Sequence, residues 1–172
     1  MSARSIASAL VLVAVASGTA HAEEGVVTAQ VTGGAVVVDG TTGTAVSALD
    51  VALDLGLTDT YGPVASLAMI DAPGGARLGL GLGAKVVPLQ SDWTRLYVRV
   101  TPQLLLAPPA TQQDTSLGRS SDLAIQATVG VEHLLMWGLG VALEVSATAP
   151  TGLGAQRVPP WAGALAGLYM EM

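Results

Sequence analysis

Apolar and polar residues alternate with a period of two along most of this chain, and the charges keep to one phase of that alternation. From Asp122 to His133, the residues Leu123, Ile125, Ala127, Val129 and Val131 alternate with Asp122, Ala124, Gln126, Thr128, Gly130 and Glu132. From Leu139 to Ala149, the residues Leu139, Val141, Leu143 and Val145 alternate with Gly140, Ala142, Glu144 and Ser146. A strand sends successive side chains to opposite faces, so each segment carries one apolar and one polar face. An amphipathic helix would repeat its apolar residues every 3.6 positions instead.

The same split recurs at Leu49–Leu57, Arg77–Val86, Arg95–Leu104 and Trp161–Met172. Asp50, Asp54, Arg77, Lys85, Arg95, Arg99, Asp122, Glu132, Glu144 and Glu171 all fall in the polar phase, and no charge falls in the apolar one. Two further strands are less regular. Val26–Val38 is rich in β-branched residues, with Gly33-Gly34 as a kink or turn, and Val64–Ile70 is short and apolar. The sum is an all-β domain of eight strands. The breaks fall at Asp39–Gly43, Thr58–Gly62, Asp71–Gly75, Pro88–Asp92, Ala107–Ser120, Leu134–Gly138 and Pro150–Pro160. Gly, Pro, Asp and Ser dominate most of them, as turns require. Leu134–Gly138 stands apart, being built from Leu, Met and Trp.

Alternation alone fits two barrels. A soluble periplasmic barrel of lipocalin-like design holds its apolar phase inside, around an apolar ligand. A transmembrane barrel turns that phase outward to lipid. Three features select the second. The polar phase is crowded with glycine (Gly79, Gly81, Gly83, Gly130, Gly140, Gly163 and Gly167), which weakens a strand but suits a narrow lumen. Lys85 is the only lysine, whereas watery β-surfaces use lysine freely and protect their edges with it. The chain has no Phe, so the apolar phase is Leu, Val and Ala, a surface suited to acyl chains. A sheet in lipid must close on itself, because an open edge would leave N–H and C=O groups unpaired. The expected fold is therefore an eight-stranded antiparallel up-and-down transmembrane β-barrel.

Residues 1–22 read as a secretory signal peptide. Arg4 supplies the positive start, Ile6–Val15 the short apolar run, and Ala20-His21-Ala22 the cleavage site, with cutting after Ala22. Residues 23–172 form the barrel domain. The apolar run is too short for a spanning helix, which needs about 20 residues. Export and an outward apolar face together place the protein in a bacterial outer membrane, with outer-membrane lipid as its first partner.

Composition excludes several classes. A net charge of −6 argues against nucleic acid, which calls for a basic stripe. The absence of cysteine removes disulfides and thiolate metal sites. Charged residues make up only 12% of the chain and hydrophobic ones 51%, which argues against disorder.

With both termini in the periplasm, the breaks at Thr58, Pro88 and Leu134 face inward and the longer ones at Ala107 and Pro150 face outward. Tyr61, Trp93 and Trp137 then fall at periplasmic turns, with Tyr169 near that end, as an interfacial aromatic belt.

In signal peptide, strand count, alternation and a final strand that ends with the protein, the whole mature chain resembles small outer-membrane barrels of the OmpA, OmpX and OmpW type. The resemblance implies the barrel-assembly machinery as a partner during biogenesis. Members usually end in an aromatic residue that this machinery reads; here Leu168, Met170 and Met172 keep the alternation without the ring.

Inside such a barrel the cations Arg77, Lys85, Arg95 and Arg99 should pair with Asp50, Asp54, Asp122, Glu132, Glu144 and Glu171, because a buried charge without a partner is costly. The expected result is an ionic plug rather than an open pore, since eight strands enclose only enough room for side chains. Some small barrels modify lipid A with a Ser/His/acid set. Here His133 lies in the lipid-facing phase, while Ser146 and Glu144 share the polar one, so no nucleophile meets a base. The expectation is no catalytic residue, no cofactor and no metal. Loop 107–121, with Pro108, Pro109, Gln112, Gln113, Asp114 and Arg119, offers a surface for an external partner.

Overall fold

A computed structural model describes residues 26–38, 44–58, 60–72, 75–106, 121–151 and 160–172. Eight strands pair in chain order and close into one antiparallel barrel. They are β1 (Val26–Val38), β2 (Thr44–Gly56), β3 (Tyr61–Ala72), β4 (Gly75–Gln90), β5 (Thr94–Leu106), β6 (Ser121–Met136), β7 (Leu139–Pro150) and β8 (Trp161–Glu171). Closure runs through β1 and β8, where Val31 pairs with Leu168 and Val38 with Trp161. The expected up-and-down barrel is the fold observed. Residues 1–22, expected to form a signal peptide, and residues 107–120, expected to form most of an exposed loop, lie outside the described residues.

Several boundaries differ from those read in the sequence. The expected short strand Val64–Ile70 is the middle of β3, which begins at Tyr61 because the Tyr61 and Thr58 backbones bond each other directly. β1 runs unbroken through Gly33-Gly34, because both glycines are paired to β2 and β8. β4 continues through Pro88 to Gln90 by way of an irregularity between Val86 and Leu89. β6 reaches Met136, leaving only Trp137 and Gly138 as the turn. Both have positive φ, 45° and 78°. That is the two-residue turn whose twist matches antiparallel strands.

The end carrying these short turns, Val26 and Met172 is called the turn end; the opposite one is the loop end. The two phases have separated across the wall. Outside, Leu82, Leu143, Val145 and Leu168 are 56–75% exposed, part of a continuous aliphatic surface. Inside, charged, amide and hydroxyl side chains are buried. At the loop end the inward phase turns apolar: Val36, Val38, Ile70, Leu105, Trp161 and Leu165 cluster together.

The lumen network as candidate functional site

Lys85 and Arg99 are directly paired across β4 and β5, which sets two cations side by side within a low-dielectric interior. Each is met by two carboxylates from other strands. Lys85 Nζ lies 2.5 Å from Glu132 on β6 and 3.2 Å from Asp54 on β2. Arg99 Nη2 lies 2.6 Å from Asp50 on β2 and 3.3 Å from Glu144 on β7. Neither β2 nor β7 neighbours β5, so these bonds cross the lumen. Arg95 and Glu171 form a third pair nearer the turn end, bridging β5 and β8.

Tyr97 links the two central groups. Its ring lies beneath Lys85 Nζ, 4.5 Å from the centroid, a cation–π contact. Its hydroxyl donates to Glu144. Glu144 also accepts from Gln30 Nε2 and Thr32 Oγ1, both at 2.8 Å. Gln126 Nε2 donates to Asp50 at 3.3 Å, and Gln103 donates to Gln126. Such satisfaction of charged groups by hydrogen bonds is what makes a buried ion cluster tolerable.

Lumen glycines make room for rings. Gly130 pairs with Tyr97 and Gly140 with Tyr169. A Cβ on Gly130 would lie 2.4 Å from Tyr97 Cζ, and one on Gly140 2.3 Å from Tyr169 Cε1.

Of the expected ionic residues, Asp50, Asp54, Lys85, Arg95, Arg99, Glu132, Glu144 and Glu171 are drawn into these groups. Arg77 stands apart near the loop end. It makes no ion pair among the described residues, and its cross-strand partner on β3 is Ile70, a member of the apolar cluster. Asp122 accepts a 2.8 Å bond from the backbone N–H of Leu123. One placement needs correction. Tyr169 is not an exterior belt residue: it is 3% exposed and points into the lumen, in the same phase as Trp161 and Glu171. Tyr61, Trp93 and Trp137 are exposed at the turn end. Sequence reading passed over Gln30, Thr32, Tyr97, Gln103 and Gln126 as network members. Their signal was available, since each lies in the inward phase of its strand.

His133 faces outward beside Thr94, whose Oγ1 lies 2.9 Å from His133 Nδ1, while Ser146 faces the lumen. The barrel wall therefore separates them. At the turn end a cavity of about 60 Å³ opens between Thr28, Asp54, Tyr61, Lys85 and Arg95. Pockets for small-molecule ligands run to about 300–1,000 Å³.

Solved structures share this architecture at low sequence identity. Neisserial surface protein A superposes with a TM-score of 0.61 at 8% identity, covering 86% of this chain and 97% of that one. The N-terminal β-barrel domain of Pseudomonas aeruginosa OprF gives 0.59 at 12% identity, with the same coverage of 86% and 97%. This chain has the fold of the small outer-membrane β-barrels. Ail, the attachment invasion locus protein of Yersinia pestis, gives 0.52 at 9% identity, again covering 86% and 97%. No family model and no curated protein matches the sequence.

Proposed function

We propose that this protein is an integral barrel of a bacterial outer membrane, with a structural or surface-interaction role and a lumen closed by its own side chains. One observation carries the reading. Each central cation is held between two carboxylates inside the barrel, while Leu82, Leu143, Val145 and Leu168 stand exposed outside. A water-soluble barrel arranges these sets the other way round, because exposed aliphatic surface is costly in water. Below the network the lumen opens into a cavity of about 60 Å³, well short of ligand size; above it, Trp161 and Leu165 belong to the apolar cluster at the loop end. The reading includes no catalysis, consistent with His133 and Ser146 on opposite faces of the wall.

In this reading the turn end is periplasmic, Tyr61, Trp93 and Trp137 lie at its membrane interface, and loop 107–121 faces outside, where a surface partner would dock. The assembly machinery would receive the chain after cleavage behind Ala22. Refolded protein in planar bilayers tests the closed lumen. Little or no steady conductance is expected, and large stable channels would overturn it. Fractionation tests the location: the protein should stay with the envelope through a carbonate wash and run heat-modifiably on gels. Extraction into plain buffer would sink the membrane assignment.

A further inference from the structure

The chain contains three Trp, three Tyr and no Phe, and all six rings are placed. Tyr97, Trp161 and Tyr169 are 0–5% exposed inside the barrel. Tyr61, Trp93 and Trp137 are 47–95% exposed, and all three belong to the turn end. The outer surface at the loop end therefore has no aromatic residue. Its outward strand positions include Val37, Ala45, Met69, Leu78, Leu104 and Ala162, with Asp71 the one charged side chain among the described ones. No outward-facing strand position there carries Lys or Arg either, since Arg77, Lys85, Arg95 and Arg99 all point inward. Transmembrane barrels ordinarily have aromatic girdles at both interfaces; this one has one girdle.

The turn between β6 and β7 is the centre of that girdle. Trp137 is 95% exposed at its tip, and Leu135, Met136 and Leu139 around it are 41–54% exposed. Hairpin turns of this geometry favour Asn or Gly at the first position, and here a bulky indole occupies it at φ 45°. An apolar tip in that strained conformation is poorly suited to water. It is continuous with the aliphatic exterior through Leu139, Val141 and Leu143 on β7. An indole with an apolar body and one N–H donor suits the glycerol and carbonyl zone of a phospholipid leaflet.

We infer that the barrel is fixed in depth from one side only: Trp137, with Trp93 and Tyr61, binds the phospholipid interface at the turn end, while the loop-end rim slides with bilayer thickness. The inference rests on the membrane-spanning reading above. It extends that reading by naming the leaflet and the turn that hold the protein.

The chain has no cysteine, so single-cysteine probes test this directly. Leu139→Cys reports the turn end, Val145→Cys the mid-wall and Leu78→Cys the loop-end rim. Each is labelled with a polarity-sensitive dye and reconstituted in phosphatidylcholine vesicles with acyl chains from 12 to 18 carbons, a thickness change read against the rise of roughly 3.3 Å per residue along a strand. The 139 probe should keep one emission maximum throughout. The 78 probe should shift from polar in thin bilayers to apolar in thick ones. Replacing Trp137 and Trp93 by Ala should make the 139 probe thickness-sensitive too. Equal shifts in the same direction at 139 and 78 in the parent protein would overturn one-sided anchoring, as would a 139 probe fully in water. A 145 probe in water in every bilayer would instead overturn the membrane-spanning reading itself.

Discussion

Tyr97 lies against Gly130, its partner on the neighbouring strand, and the ring occupies the space a side chain there would take. This pairing places the Tyr97 hydroxyl on Glu144 and the ring face beneath Lys85. Replacing Gly130 with Val should therefore displace the ring and destabilise the barrel by about 1–3 kcal/mol, the usual cost of overpacking. Urea unfolding in bilayers measures it. The double variant with Tyr97→Ala should lose much of that penalty. Full additivity of the two changes would mean that the ring and glycine do not share this space.

Arg99 holds Asp50 and Glu144 apart from three strands. Arg99→Met removes the cation and leaves two carboxylates facing each other, a loss of about 3–5 kcal/mol for a broken buried pair. Adding Asp50→Asn and Glu144→Gln should recover most of it. A variant with Arg99→Met alone that unfolds at the parent urea concentration would show the network to be energetically idle.

Val145 and Ser47 both face outward, at mid-wall and near the loop end respectively. Arginine at Val145 should cost about 2–4 kcal/mol in a bilayer, and at Ser47 about 0–1 kcal/mol, because the penalty for a lipid-facing charge falls with distance from the midplane. Equal costs at the two sites would contradict a lipid-embedded exterior.

Gly138 has φ 78°, and a Cβ there would lie 2.7 Å from the carbonyl oxygen of Glu171. Gly138→Ala should lower stability by about 1–2 kcal/mol from the left-handed backbone alone. The measured unfolding midpoint should fall even though the residue sits at an exposed turn.

The phase of six of the eight strands was legible in the sequence, because the period of two is local: each residue's face depends only on its neighbours in sequence. Asp50, Lys85, Arg99, Glu132 and Glu144 could be assigned to one side of the wall on that basis alone. Barrel closure followed from the same pattern, since an outward aliphatic face in lipid admits no open edge. Strand ends were less legible. Trp137 and Gly138 make a two-residue turn through backbone twist, which a run of Leu, Met and Trp does not advertise.

Register and shear across the closed sheet decided the rest. Which carboxylate meets which cation depends on how far each strand is displaced around the barrel, a quantity summed over eight pairings and written in no single segment. That is why Arg99 reaches Asp50 and Glu144 across the lumen while Arg77, in the same phase, is paired with Ile70. The same geometry turned Tyr169 inward over Gly140 and gathered Trp161 and Leu165 into an apolar cap. Their phase was plain in the sequence, but the space each ring could fill existed only once the strands had closed around it.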